Sequence, residues 1–175
     1  MSERKYRLTD ETITVFGRTL HRIQATEDIP SRYVVDGELG GFIEKESNLS
    51  GDAWVFGNAR VSGNAEVSGN AEVSGTAEVS GNARVYQKQH IFVAGPAGVE
   101  SRWVTAAHTG EDEIFVRIGC WEGTLNTMMQ AVIERRDKYW GRHDEATQER
   151  WQAEYQAIHD MIAIRAESWK PEKEA

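Results

Sequence analysis

From Leu49 to Ile91 an aliphatic residue recurs at every sixth position: Leu49, Val55, Val61, Val67, Val73, Val79, Val85 and Ile91. Two residues before most of them stands an alanine (Ala53, Ala59, Ala65, Ala71, Ala77, Ala83), and two residues after most stands a glycine (Gly51, Gly57, Gly63, Gly69, Gly75, Gly81). A fixed short period restricts the chain to a stack of equivalent units, none of which can bury its own apolar face alone. Within the unit V-S-G-N-A-E only Val and Ala are apolar, one residue apart. That alternation is strand-like: Ala and Val point inward and the residue between them faces water. Gly-Asn supplies the corner, because both residues tolerate positive φ at low cost. The competing reading is low-complexity disorder rich in Gly, Ser, Asn and Glu, but disorder does not require an unbroken aliphatic register.

The repeat resembles the hexapeptide-repeat family, whose units form the flat sides of a left-handed parallel β-helix, three units to a coil. The resemblance implies a mainly β protein: a short left-handed parallel β-helix over 41–95, an N-terminal β cap over 1–40, and a C-terminal α+β module over 96–175 ending in a long helix. Three units per coil would stack residues eighteen apart, placing Arg60 over Glu78 and Glu66 over Arg84, opposite charges on adjacent strands. The corner residues would superimpose too, Asn64 over Asn82 and Asn58 over Thr76. Such a column is short and thin, and both its ends need covering. Family members commonly assemble as trimers, which implies a homotrimer here. Trp54, Phe56 and Tyr86 are the large side chains on the expected outer surface. They read either as end caps and contacts to the flanks or as an oligomer interface, where aromatic residues concentrate binding energy.

Composition narrows the partners. A net charge of −8 and a pI near 5.2 argue against the basic face of a nucleic-acid-binding protein. Negative charge is spread along the chain with no dominant acidic block. The single cysteine, Cys120, excludes an internal disulfide framework and suits a reducing compartment. No long apolar span occurs, and the polar opening Met1-Ser-Glu-Arg-Lys-Tyr6 lacks the features of a signal peptide. The expectation is a soluble, cytoplasmic protein without membrane contact.

Before the repeat, Thr12 to Ile23 reads as two strands around a turn at Gly17, with further turns at Asp36-Gly37 and Gly40-Gly41. This segment is expected to seal one mouth of the column. After it, Gly95-Pro-Ala-Gly98 is a breaker and a domain boundary. Arg102–His108 and Glu113–Gly119 read as strands joined by a polar turn at 110–112. Thr124 is placed to cap a helix carrying Leu125, Met128, Met129, Val132 and Ile133 on one side, and Asp144 to cap a second after the Gly141 break. The second helix has a heptad-like seam of Trp151, Tyr155, Ile158 and Ile162, with Trp169 beyond. That seam either packs on its own domain or docks another subunit or a partner, with Trp151, Tyr155 and Ile158 as the partner-binding candidates.

The segments Lys5-Tyr-Arg-Leu-Thr-Asp-Glu-Thr-Ile13, Gly17-Arg-Thr-Leu-His-Arg-Ile23 and Leu39 to Leu49, with Gly119-Cys-Trp-Glu-Gly-Thr-Leu125 further on, resemble a family of bacteriophage and prophage proteins of uncharacterised function. In those the same opening runs into hexapeptide repeats and then helices. The long terminal helix here is more extended and more charged than in those relatives. The resemblance implies a phage accessory protein working in the cytoplasm of an infected bacterial host.

A search for chemistry returns little. Acyl transfer on a hexapeptide repeat needs a general base at the substrate, and the units contain no histidine before His90. His21, His90, His108, His143 and His159 are scattered, without the spacing of a zinc site. Cys120 reads as a small buried residue in a tight turn, or as a thiol activated by the helix start that follows. The stretch Gly119–Thr124 could bind an anion at that helix N-terminus with Arg117 beside it, which makes Arg117, Trp121 and Thr124 the ligand-binding candidates. No catalytic residue, metal or cofactor is expected. The reading is a non-enzymatic, self-assembling protein that inhibits a host defence system by occluding a protein or sequestering a nucleotide signal. A structural virion or assembly component, and an acyltransferase, are the alternatives.

Overall fold

A computed structural model describes residues 4–110 and 113–169. The opening segment is a hairpin, β1 (Tyr6–Val15) and β2 (Arg18–Ala25), followed by β3 (Leu39–Ile43). Six strands of two residues each come from the repeat: β4 (Trp54–Val55), β5 (Arg60–Val61), β6 (Glu66–Val67), β7 (Glu72–Val73), β8 (Glu78–Val79) and β9 (Arg84–Val85). The C-terminal part holds β10 (Ile91–Ala97), β11 (Arg102–His108), β12 (Ile114–Ile118), β13 (Trp121–Thr124), α1 (Leu125–Tyr139) and α2 (Glu145–Ala166).

These strands do not form a left-handed parallel β-helix, and that expectation is corrected. They assemble as a mixed five-stranded sheet in the order β1-β2-β3-β5-β8, an antiparallel four-stranded sheet β10-β11-β12-β13, and two parallel two-stranded ladders, β4-β7 and β6-β9. Among the described residues no sheet closes on itself or winds as a solenoid. The physical reason is strand length. Each repeat offers only two residues in extended geometry before its glycine corner, so no face grows into a continuous wall. One face is instead prolonged by the antiparallel hairpin through β2 and β3.

The eighteen-residue offset is nevertheless present in the parallel pairs. Arg60 sits beside Glu78, with Nη1 to Oε1 at 2.7 Å, and Glu66 beside Arg84, an exposed pair at 4.0 Å. Val55, Val61, Val67, Val73, Val79 and Val85 are all buried, with the alanines two residues before them. Each fully buried aliphatic side chain contributes roughly 1.5–3 kcal/mol. The corners stack through the backbone, Asn64 N–H donating to the Gly81 carbonyl at 3.0 Å. The side-chain amides of Asn64 and Asn82 are not hydrogen-bonded to each other, so the ladder expected there is a backbone one.

Both ends of this stack are covered by the same chain. At the start, Tyr6, Ile23, Ile29 and Val34 join the valines in one buried cluster, and the Tyr6 hydroxyl donates to the Glu46 and Leu49 carbonyls. Gly41 is required there, because a Cβ would stand 2.5 Å from the Ala59 carbonyl oxygen. At the far end Ala107 of β11 and Phe115 of β12 close the cluster, the Phe115 ring lying against Gly81. Alternation sends Val104, Ala106 and Val116 to the other face of that sheet, where they meet Met128 and Val132 of α1 and Tyr155, Ile158 and Ile162 of α2. Asp144 caps α2 by accepting the Thr147 N–H at 2.9 Å.

A ring cluster pins the end of α2 to the repeats. His90 lies 4.9 Å from His108, 4.2 Å from Tyr86 and 6.5 Å from Trp169 between ring centroids. Burial, then the neighbouring His108, pushes His90 down to about 4, and burial also lowers His108. A folded-state pKa below the unfolded one means the unfolded chain binds more protons in between, so stability falls as pH drops from about 6.5 towards 4. Thermal unfolding at a series of pH values should show that loss, and His90→Phe, which keeps a ring but cannot titrate, should flatten it.

Candidate functional site

The repeat and the C-terminal sheet meet through Arg117. Its backbone lies on β12 opposite Thr105 of β11 and Glu122 of β13. Its side chain, 9% exposed, points to the repeat: Nε donates to Glu78 Oε2 at 2.8 Å, and Nη1 donates to Ser80 Oγ at 2.7 Å and Glu122 Oε2 at 3.1 Å. The Ser80 hydroxyl in turn donates to Glu122 at 2.7 Å, and Arg60 Nη1 donates to the other oxygen of Glu78 at 2.7 Å. Nη2 of Arg117 has no acceptor among the described residues. It is not among the enclosed nitrogens left without a partner, so its two N–H groups face solvent and are open to an acceptor from outside the chain.

Two cavities open on either side of this group. One, of about 400 Å³, has the corner residues Asn64 and Asn82 at its floor and is walled by Phe16, Arg18, Lys45 and Arg117. The other, of about 260 Å³, is bounded by Arg60, Thr76, Arg102, Trp103, Thr105 and Arg117. The first is mostly polar and the second mostly apolar; each has three cationic side chains and one carboxylate in its wall, Glu122 in the first and Glu78 in the second. Arg18 is held by Glu44, whose carboxyl is pulled below its ordinary range by the Gly63 N–H and by Arg18 against the opposing effect of burial. Lys45, exposed in the wall of the larger cavity, makes one weak hydrogen bond, to Asn64 Oδ1 at 3.4 Å.

Phe16 stands over this site for a reason local to its hairpin. Val15 pairs with Arg18, leaving Phe16-Gly17 as a two-residue turn in which both have positive φ, 48° and 78°. A bulky residue in that conformation is strained. Phe16 is also 60% exposed, with its ring centroid 4.8 Å from the Arg117 guanidinium carbon.

Of the ligand-binding candidates, only Arg117 lies here. Trp121 and Thr124 were grouped with it on the reading that Gly119–Thr124 is a turn entering a helix. Instead Gly119-Cys120 is a two-residue hairpin turn and Trp121–Thr124 is a strand. Alternation along β13 sends Glu122 to Arg117 and Trp121 to the helix side, where its ring packs over Gly123. The cavity beside Trp121 is only about 30 Å³, room for about one water. Thr124 ends the strand, its N–H donating to Thr127 Oγ1 at 3.1 Å. Cys120 is exposed at the hairpin turn, neither buried nor at a helix start.

The partner-binding candidates face inward. Tyr155 and Ile158 are buried in the chain's own core, the Tyr155 hydroxyl donating to the Ala97 carbonyl at 3.2 Å, and Trp151 packs edge-on to Trp140 at 5.6 Å. Among the interface candidates Trp54 is fully buried. The loop around Arg32 covers it, with Arg32 Nε on the Asp52 carbonyl at 3.0 Å and Nη2 on Asn70 at 3.1 Å. Phe56 is half-buried against the same cluster, while Tyr86 keeps 40% of its surface exposed.

Sequence reasoning missed Phe16, Arg18, Lys45, Ser80, Trp103 and Glu122. One signal was visible: an aromatic in the first position of a glycine hairpin turn, where Asn or Asp is the usual choice. Among the described residues no group of three or more His, Cys, Asp or Glu is placed to hold a metal ion, and no helix is long and apolar enough to cross a membrane. No family model and no curated protein matches the chain, and nothing in these comparisons identifies the phage family that its opening resembles.

Proposed function

We propose that this protein is a non-catalytic binding protein whose Arg117 cleft takes a small anionic ligand of the nucleotide type. The observation that supports the reading is Arg117 itself, whose Nη2 has no acceptor among the described residues and which lines two cavities that each hold three cationic side chains beside one carboxylate. Charge-assisted bonds from such donors are among the stronger ones available to a protein. Phe16 offers a ring face to a base. The residues named for the cleft all come from one chain. A homotrimer using the Phe56 and Tyr86 faces belongs to the same proposal, as does sequestration of a host signal during phage infection, which the resemblance of the opening residues suggests.

Calorimetric titration with adenosine monophosphate tests it. Saturable one-to-one binding that weakens with salt is expected, and Lys45→Ala, at an exposed residue with one weak contact, should lower the affinity about tenfold. No detectable heat up to millimolar nucleotide with folded protein would end this reading.

A further inference from the structure

Trp103 is not in either buried cluster and its side chain makes no hydrogen bond among the described residues, and it is 42% exposed on the face that carries the site. It precedes Thr105 by two residues on β11, so it shares a face with Thr105, the direct cross-strand neighbour of Arg117. That makes Trp103 the diagonal neighbour of Arg117, within reach of a large ring. Phe16 lies on the other side of the same guanidinium, held there by a strained turn. Arg117 lines both cavities, one containing Phe16 and the other Trp103.

We infer that the two cavities are compartments of one site, and that its ligand has two planar rings joined through an anionic linker, the chemistry of a dinucleotide. The linker meets the unpaired Nη2 donors of Arg117, and one ring lies on Phe16 and the other on Trp103. The inference rests on the reading of Arg117 as the anion contact. The enclosed space suits it: the larger cavity alone is at the low end of ligand pockets, and the two together are in the middle of the usual range. The corner residues Asn58 and Thr76 on one side, Asn64 and Asn82 on the other, give polar edges for bases. The overall charge of −8 disfavours a longer polynucleotide, whose further phosphates would meet an acidic surface.

The test compares adenosine monophosphate with 5′-phosphorylated adenylyl-adenosine by calorimetry, on the wild-type chain, Phe16→Asn and Trp103→Ala. Asn accepts the left-handed turn without strain, so Phe16→Asn should unfold at or above the wild-type temperature, and Trp103→Ala, at a partly exposed ring, within a few degrees of it. The dinucleotide is expected to bind at least tenfold more tightly than the mononucleotide. Each substitution should weaken the dinucleotide about tenfold, whereas only one of them should weaken the mononucleotide. Equal affinities for the two nucleotides, or a Trp103→Ala variant that binds the dinucleotide like wild type, would overturn the two-compartment inference and leave the Arg117 site standing. Absence of binding by both nucleotides would remove the site itself.

Discussion

Replacing Arg117 with methionine is expected to lower the free energy of unfolding by about 2–4 kcal/mol and to abolish nucleotide binding. Methionine keeps much of the apolar stem and removes the charge. Breaking a buried ion pair from one side typically costs about 3–5 kcal/mol, because the partner is left charged without compensation. The lower range applies here for two reasons. Glu122 is nearly half exposed, so water screens it, and Glu78 retains Arg60 at 2.7 Å. Urea denaturation followed by far-UV circular dichroism measures the loss. A second substitution separates electrostatics from packing: Glu78→Gln alone should destabilise, but in the Arg117→Met background it should recover part of the loss. If Arg117→Met were as stable as wild type, the interface between the repeat and the C-terminal sheet would have to rest on its other contacts, Phe115 and Ala107, the Ser80–Glu122 and Glu78–Thr105 hydrogen bonds and the Tyr86–His108 ring contact.

The second large effect lies inside the repeat. Val61→Asp is expected to abolish the folded state. Val61 is fully buried in the parallel row Ile43-Val61-Val79, with no polar partner within the stack. A carboxyl group forced into such a place stays neutral, and holding it neutral at pH 7, about 3 units above its ordinary pKa, costs about 4 kcal/mol before the lost apolar contact is counted. That cost, with the lost burial added, rivals the whole stability of an ordinary domain. Ser74→Asp, at an exposed position on the outside of the same repeat, should leave the unfolding temperature within a few degrees of wild type. Far-UV spectra and limited proteolysis of the two variants give the contrast directly.

The register of the repeat was legible because period and chemistry coincide. An aliphatic residue every sixth position forces valines inward, and an eighteen-residue offset sets Arg60 beside Glu78 and Glu66 beside Arg84. Sheet assembly was not legible. A period says which residues stack but not how many extend before each corner, and two per strand is too few to carry a continuous wall. Trp54 shows a second limit. Alternation between Ala53 and Val55 puts it outward, yet it is fully buried in one cluster with the distant Ile29 and Val34, which flank Arg32. The seam of α2 and the caps at Thr124 and Asp144 were readable because helical spacing and capping are local.

Arg117 marks where local reading stops. It was singled out beside a glycine-rich turn expected to open a helix, and that turn is a β-hairpin. Its importance comes from Glu78 and Ser80, about forty positions earlier, and from Phe16, a hundred earlier. Such a group becomes visible only when the repeat, the opening hairpin and the C-terminal sheet are brought together.

The most direct test is the Arg117 side-chain Nε–H resonance in a nitrogen-15 correlation spectrum, assigned by its loss in Arg117→Met. It should be observable without ligand, because Nε is hydrogen-bonded to Glu78 in a buried setting, and it should shift saturably as adenosine monophosphate is added. A resonance that stays in place while the nucleotide reaches millimolar concentration would contradict the assignment of Arg117 as the anion contact.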